Sequence, residues 1–336
     1  MRPLLIALTG VLAAGAACSR DRSPAPPPST DQRAASPPAA QPAPQRVSRK
    51  PVQVAMKNVR LWADDGIVLD VRELRGEMAS TVAGEPPVFD NQRSFILRVH
   101  AADVSMDMQS LTNLMNRHVF GYEHAPLSDI TTEIDEGQLK MKATLHKGVP
   151  VPISMKADVE ATPDGRMRLK TTKVSALSVP AKKLMDLFGL ELGDVVNLKE
   201  RRGVEIDEND IIIAAGQILP PPEIQGHLSR VAIVNGRLQQ TFVPAAGVSP
   251  AKLSPPEPNH NYVYFSGSDI RFGKLLMTDA DLELIDADPK DPFDFFPSRY
   301  LNQLVAGYSK STPSGGLKTY VPDYADLNRV KDLRPK

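Results

Sequence analysis

The residue types that could do chemistry are few and scattered. Six histidines, His100, His118, His124, His146, His227 and His260, contain no H-E-x-x-H or other paired metal spacing. His118 and His124 stand six apart with Gly121 between them, which reads as a helix end rather than a ligand pair. No G-x-S-x-G elbow, P-loop or G-x-G-x-x-G is present, so the commonest hydrolase and phosphate-binding signatures are missing. The densest acidic stretch runs through Asp279, Asp281, Glu283, Asp286, Asp288, Asp291 and Asp294. Calcium needs several converging carboxylate oxygens, and Asp286 and Asp288 with Asp291 or Asp294 could supply them. The loop glycine is absent and Pro289 and Pro292 stiffen the segment, so a solvated turn is the expectation. Phe293, Phe295 and Phe296 sit beside these acids and read either as a membrane-dipping edge or as a pin holding the tail to a sheet. No cofactor is expected and no catalytic residue is nominated.

The single cysteine has a different chemistry. Arg2 is followed by an apolar run from Leu4 to Ala17, 14 residues long, which is too short to cross a bilayer and suits a signal-peptide core. The sequence Ala14-Gly15-Ala16-Ala17-Cys18 resembles a bacterial lipobox, in which the cysteine receives lipid and becomes the mature N-terminus. It departs at Gly15, where leucine is usual, and an ordinary secretory signal cleaved near Ala17 is the alternative. With lipidation, Ser19 points to the outer membrane, facing the periplasm.

Residues 19–51 hold nine prolines, with Val47 as their one large aliphatic, and read as a solvated tether. They carry six basic and two acidic side chains, which together with Arg2 leaves residues 52–336 at a net charge of −5 although the whole chain balances at 40 and 40. A basic leash and a mildly acidic body suit an anionic membrane surface and argue against a nucleic-acid partner.

The elements that would position any site are mostly strands. Ile130 to Leu145 alternate around the turn Asp135-Glu136-Gly137, and Val149 to Val159 return through Pro163-Asp164-Gly165 to Met167, Leu169 and Thr171. Val204 and Ile206 face Ile211 and Ile213 across a third turn, and Asn235-Gly236 closes a fourth hairpin. One helix is expected over Asp107 to His118, capped by Ser105, and a second from Pro180 to about Asn197. The expected fold is therefore α+β, a long curved antiparallel sheet of hairpins packed on two main helices. The expected domains are a signal peptide over 1–17, the lipidated tether over 18–51, a main domain over 52–243, a proline-rich linker over 244–258 and a tail over 259–336 that docks on it.

Such faces, rich in Val, Ile, Leu and Met, close on a solid core or on an apolar cavity, and periodicity does not distinguish the two. Residues 95–243 add an ordered set of short features: His100-Ala101-Ala102-Asp103-Val104-Ser105 before the first helix, Asp135-Glu136-Gly137-Gln138-Leu139, Val149-Pro150-Val151-Pro152, Pro163-Asp164-Gly165, Val179-Pro180 and Asn235-Gly236. This order resembles the exported envelope proteins related to the lipomannan elongation factor, and through them the TULIP superfamily of tubular lipid-binding proteins. The resemblance implies an exported, noncatalytic protein that holds a lipid in an elongated groove between sheet and helices. The tether and the tail from 259 lie outside it.

On that reading the groove is lined by Leu111, Leu114, Met115, Leu139, Met141, Val151, Ile153, Met155, Leu184, Phe188, Ile211 and Ile213. The ligand is an acyl-chain membrane lipid, and Cys18 anchors the chain. The rival reading is a structural or assembly lipoprotein with a solid core and an envelope protein partner. A third, an envelope enzyme acting on glycans or lipids, has only scattered acids to support it.

Overall fold

The computed structural model describes residues 50–147, 149–176, 203–207 and 210–329. Cys18, the tether to Arg49, the second expected helix and its Leu184 and Phe188 lie outside the described residues. Three long strands make the frame: β1 (Val52–Asp64), β2 (Ile67–Ser80) and β3 (Phe95–Met106). Their inward residues alternate, but the alternation slips once in each strand. In β3 the buried set is Phe95, Leu97 and Val99, then Ala102, Val104 and Met106. In β1 it passes from Val52, Val54 and Met56 to Val59, and in β2 from Leu69 and Val71 to Leu74 and Met78. The slips coincide: Asn58 has a φ of 50°, and the β2–β3 register shifts between Val71 and Glu73 and again between Arg75 and Gly76. Stacked bulges keep apolar side chains inward while bending every strand at one level, which curls the sheet.

Gly76 sits at this bend. A Cβ there would lie 2.3 Å from the carbonyl oxygen of Arg98 on the neighbouring strand, where backbone cannot yield. Gly76→Ala is expected to lower the unfolding free energy by about 1–3 kcal/mol, read as a lower urea midpoint with an unchanged slope.

The hairpins divide between two sheets instead of forming one. The first sheet has ten strands and continues through β10 (Glu223–Val234), β11 (Arg237–Val243), β12 (Tyr262–Ser266), β15 (Asp281–Asp286), β16 (Phe293–Phe295), β17 (Tyr308–Ser311) and β18 (Leu317–Val321), in the order β10-β11-β3-β2-β1-β12-β15-β18-β17 with β16 beside β1. It is mainly antiparallel, with parallel pairs at β10–β3, β1–β16 and β15–β18. The second sheet has six strands: β4 (Leu127–Asp135), β5 (Gln138–Lys147), β6 (Val149–Ala161), β7 (Met167–Ala176), β8 (Val204–Asp207) and β9 (Asp210–Ile213), ordered β4-β5-β6-β7-β9-β8. A two-stranded hairpin, β13 (Ile270–Phe272) and β14 (Leu275–Met277), turns at Gly273 and Lys274.

Helix α1 (Met108–Leu114), continued by a wider turn over Met115–Val119, lies between the sheets. Its cap is Asp107, whose Oδ1 accepts from the Ser110 amide at 2.7 Å; the expected cap, Ser105, is a strand residue that receives Arg237 Nε. Leu111, Leu114 and Met115 are buried, as their spacing implies. The polar side is also engaged. Asn116 bonds both backbone groups of Ile130 on β4, Thr112 bonds Thr132, and Asn113 donates to the Gly66 carbonyl in the β1–β2 turn. Buried polar groups need such partners, so these side chains stitch the helix to both sheets.

Phe293, Phe295 and Phe296 are at most 2% exposed, which removes the membrane-dipping reading and leaves the pin. Trp62 stacks on Phe296 at 5.8 Å and donates its indole N–H to Asp294. Gln303, on helix α3 (Tyr300–Ala306), is fully buried and bonds the Asp294 and Pro322 carbonyls and the Phe296 amide.

Candidate functional site

The inward faces of β1, β2 and β3 are not fully filled. One apolar lobe is bounded by Leu69, Val71, Leu97, Val104 and Met106 below and by Leu111, Leu114, Met167, Ile218 and Leu238 around it. A second is bounded by Val54, Met56, Met78, Phe89, Phe95, Phe265 and Phe295. Leu61, Leu69, Leu97, Leu219 and Ile224 line both, so the two lobes adjoin along a shared wall and are together termed the slot. Each lobe has a cavity volume of about 70 Å³. At roughly 10–15 Å³ for each water-sized sphere, that is room for a narrow file of atoms. Gln240 is the polar side chain of the first lobe, and Trp62 and Gln92 are those of the second, among the described residues.

The cover over the slot is helix α2 (Ala215–Ile218) with the run Leu219-Pro220-Pro221-Pro222 that follows it. Three successive prolines remove backbone donors and restrict φ, so this run can lie across apolar surface without needing ladder partners. Beyond it the second lobe shares Phe89, Gln92, Pro221 and Pro297 with an open depression of about 320 Å³. That depression is mixed, with Asp90, Asn91, Arg93, Ser298 and Tyr300 beside Phe89, Pro221, Pro297 and Leu301 in its wall. Polar side chains thus stand next to the apolar second lobe, at the side termed the mouth of the slot.

The expected groove residues separate into groups. Leu111 and Leu114 line the first lobe. Met115, Leu139, Met141, Met155 and Ile213 are instead packed in the core, and Val151, Ile153 and Ile211 are half-buried on the six-stranded sheet. The alternation that placed them on one face is correct, but helix α1 and the neighbouring strands fill the space in front of that face. Leu61, Leu97, Leu219 and Ile224 were missed. Their signal is an alternation with a phase slip, which a strict period of two passes over, and a proline run that reads as linker.

Several of the histidines and acids singled out in the sequence have other partners among the described residues. His118 Nε2 pairs with Asp64 at 2.9 Å, and His124 is exposed beside Glu123. Ser128 Oγ lies 2.8 Å from His146 Nε2, but the adjacent Asp129 bonds the serine and not the imidazole, so the relay order of a triad is absent from this trio. Among the described residues no group of three or more His, Cys, Asp or Glu is arranged to hold a metal ion. The expected solvated turn is corrected too: Asp286 and Asp294 are buried. Burial pushes Asp286 up to about 6, against the hydrogen bond it accepts from Asn261, and raises Asp294 against its bond from Trp62. Burial likewise pushes Glu283 and Asp323 up to about 7. These acids tie backbone segments together; Asp323 accepts from the Asp294 amide at 2.7 Å and Glu283 from the Glu257 amide at 2.9 Å.

No protein-family model, no curated protein and no solved structure matches the chain. No helix among the described residues is long and apolar enough to cross a membrane.

Proposed function

We propose that this chain is an exported, lipid-anchored envelope protein that holds or carries one acyl chain of an amphiphile, without catalysis. The observation that carries the reading is the pair of adjoining apolar lobes beside an open depression that carries polar side chains. Burial of methylenes supplies the affinity at about 0.8 kcal/mol each, so a chain with eight buried carbons gains roughly 6 kcal/mol. The small volume of the lobes suits one unbranched tail, with the head group among Asn91, Arg93 and Ser298. A curled sheet closed by helical cover agrees with the lipid-binding superfamily that the order of motifs resembles. Cys18 and the proline-rich tether complete the reading. In extended form 33 residues reach on the order of 100 Å, enough for a body fixed to the outer membrane to move through the periplasm.

Native mass spectrometry of the full chain carrying Cys18→Ser tests the slot. Co-purified single-chain lipid, or its uptake from liposomes, is the expected result; a clean apo mass with no uptake would falsify the reading. The anchor has its own test. Radiolabelled palmitate should enter the wild type and not the Cys18→Ser variant.

A second reading has an observation in its favour. On the six-stranded sheet Leu139, Met141, Leu145 and Met155 are buried, as in an assembly lipoprotein that works through a protein partner. It predicts a stable envelope partner in pull-downs and no bound lipid.

A further inference from the structure

The mouth of the slot is flanked by apolar side chains that the fold does not use. On α3, Leu301 is 52% exposed and Val305 is 85% exposed, one helical turn apart. At the tip of the β13–β14 hairpin, Leu275 and Leu276 are 52% and 43% exposed. Asp90 joins these two elements. One of its carboxylate oxygens accepts from the Gly273 amide at the hairpin turn and the other from the Tyr300 hydroxyl at the start of α3. Both elements therefore stand at the wall of the depression, which Asp90, Tyr300 and Leu301 help to form. From Tyr300 to Ala306 the helix has no charged residue, while the cations Arg93 and Lys274 are exposed at its flank and at the hairpin turn.

We propose that this face, Leu275, Leu276, Leu301 and Val305, docks on a lipid bilayer and sets the mouth of the slot against it. Bulky aliphatics on an uncharged helix face, beside cations, enter the head-group region with their methylenes buried and leave the cations at phosphate depth. The bilayer is the favoured occupant because Leu301 belongs both to the patch and to the wall of the mouth and exposed cations stand beside it, so a bilayer docked on the patch lies next to the slot. The proposal deepens the slot reading, and docking is measured apart from lipid occupancy.

Flotation alone would not test it, because the apolar run of residues 4–17 can attach the full chain to vesicles. A depth measurement does. Cys18 is the one cysteine, so a Cys18→Ser background accepts a single label. An environment-sensitive fluorophore is placed by Leu275→Cys, Leu301→Cys or Val305→Cys, and, for comparison, by Val149→Cys or Val234→Cys. The last two positions are also exposed but remote. β10 starts beside the mouth with Glu223 paired to Ile96, and Val234 lies eleven residues further on, about 35 Å away. With vesicles of phosphatidylethanolamine and phosphatidylglycerol bearing nitroxide lipids, quenching should be several-fold stronger at 275, 301 and 305 than at 149 and 234. Equal quenching at all positions, stronger quenching at the remote pair, or no association with vesicles overturns the proposal. A melting midpoint unchanged by labelling confirms that the exposed sites were altered without unfolding. A chain that docks yet co-purifies no lipid refutes the slot and keeps the face; a loaded chain that does not dock does the reverse.

Discussion

Leu219→Trp is expected to weaken binding of a fluorescent fatty acid at least tenfold while shifting the thermal midpoint little. Leu219 lines both lobes and is half-buried in the segment between α2 and β10, so an indole there projects into the throat of the slot. Placed in a closed core, such an enlargement costs about 1–3 kcal/mol through displaced neighbours. Here the cavity accepts the added volume, and the loss falls on the ligand. The contrasting variant is Met141→Ala, on the six-stranded sheet. It removes packed core atoms and should cost about 2–5 kcal/mol of stability while leaving the affinity of the folded protein near the wild-type value. If Met141→Ala abolishes binding and Leu219→Trp does not, the ligand lies along the six-stranded sheet and the slot assignment is wrong.

The second large effect is on stability as a function of pH. Glu283, Asp286 and Asp323 are buried and held at about 7, 6 and 7, well above the usual carboxylate range. In the unfolded chain they return to ordinary values near 4. An acid raised on folding contributes stability that is complete below its unfolded pKa and is lost as pH climbs through its folded one. The unfolding free energy should therefore fall between pH 5 and pH 8. A tenfold change in proton affinity corresponds to about 1.4 kcal/mol. Because Asp286 and Asp323 repel each other and do not ionise independently, the expected loss is on the order of 3 kcal/mol rather than the sum over three separate acids. Urea midpoints at the two pH values measure it.

Glu283→Gln isolates one contribution. Glu283 Oε1 is buried with no hydrogen-bond partner, and Glu257, Asp281 and Lys318 are the charges around it. The amide keeps the shape without the charge, so this variant should be more stable than wild type at pH 8 and show a shallower dependence. The half-buried carboxylates that hydrogen-bond cations or backbone, Asp64 and Asp103 among them, are held below their usual values. They act in the opposite sense and only in more acidic solution, below about pH 4. A midpoint that rises steadily from pH 5 to pH 8 would refute the assignment.

Much of the local structure was legible because it depends on near neighbours. The Asp135-Glu136-Gly137 turn shows positive φ at Glu136 and Gly137, and Asn235-Gly236 does the same. The strand pairs Val204 with Ile213 and Ile206 with Ile211 form as expected. Ile270 to Met277 reads as one strand, yet Gly273, with a φ of 55°, turns it into a hairpin. Ser105, the expected cap, is taken up by β3, which runs on to Met106, so the cap falls to Asp107.

What the amino-acid sequence determined by itself was alternation, turn chemistry, the α+β order of elements and the charge division between tether and body. Each of these follows from spacings of a few residues. Only the tertiary structure decided which apolar faces meet filled space and which meet a slot. Leu139 and Leu97 both sit on the buried face of an alternating stretch of strand, but Leu139 is packed in the core, whereas Leu97 lines both lobes with the four helical residues and three prolines nearby. A cavity is a shortfall in packing between elements distant in sequence. No local pattern encodes it, because it depends on the volumes of side chains that meet only after the chain has folded.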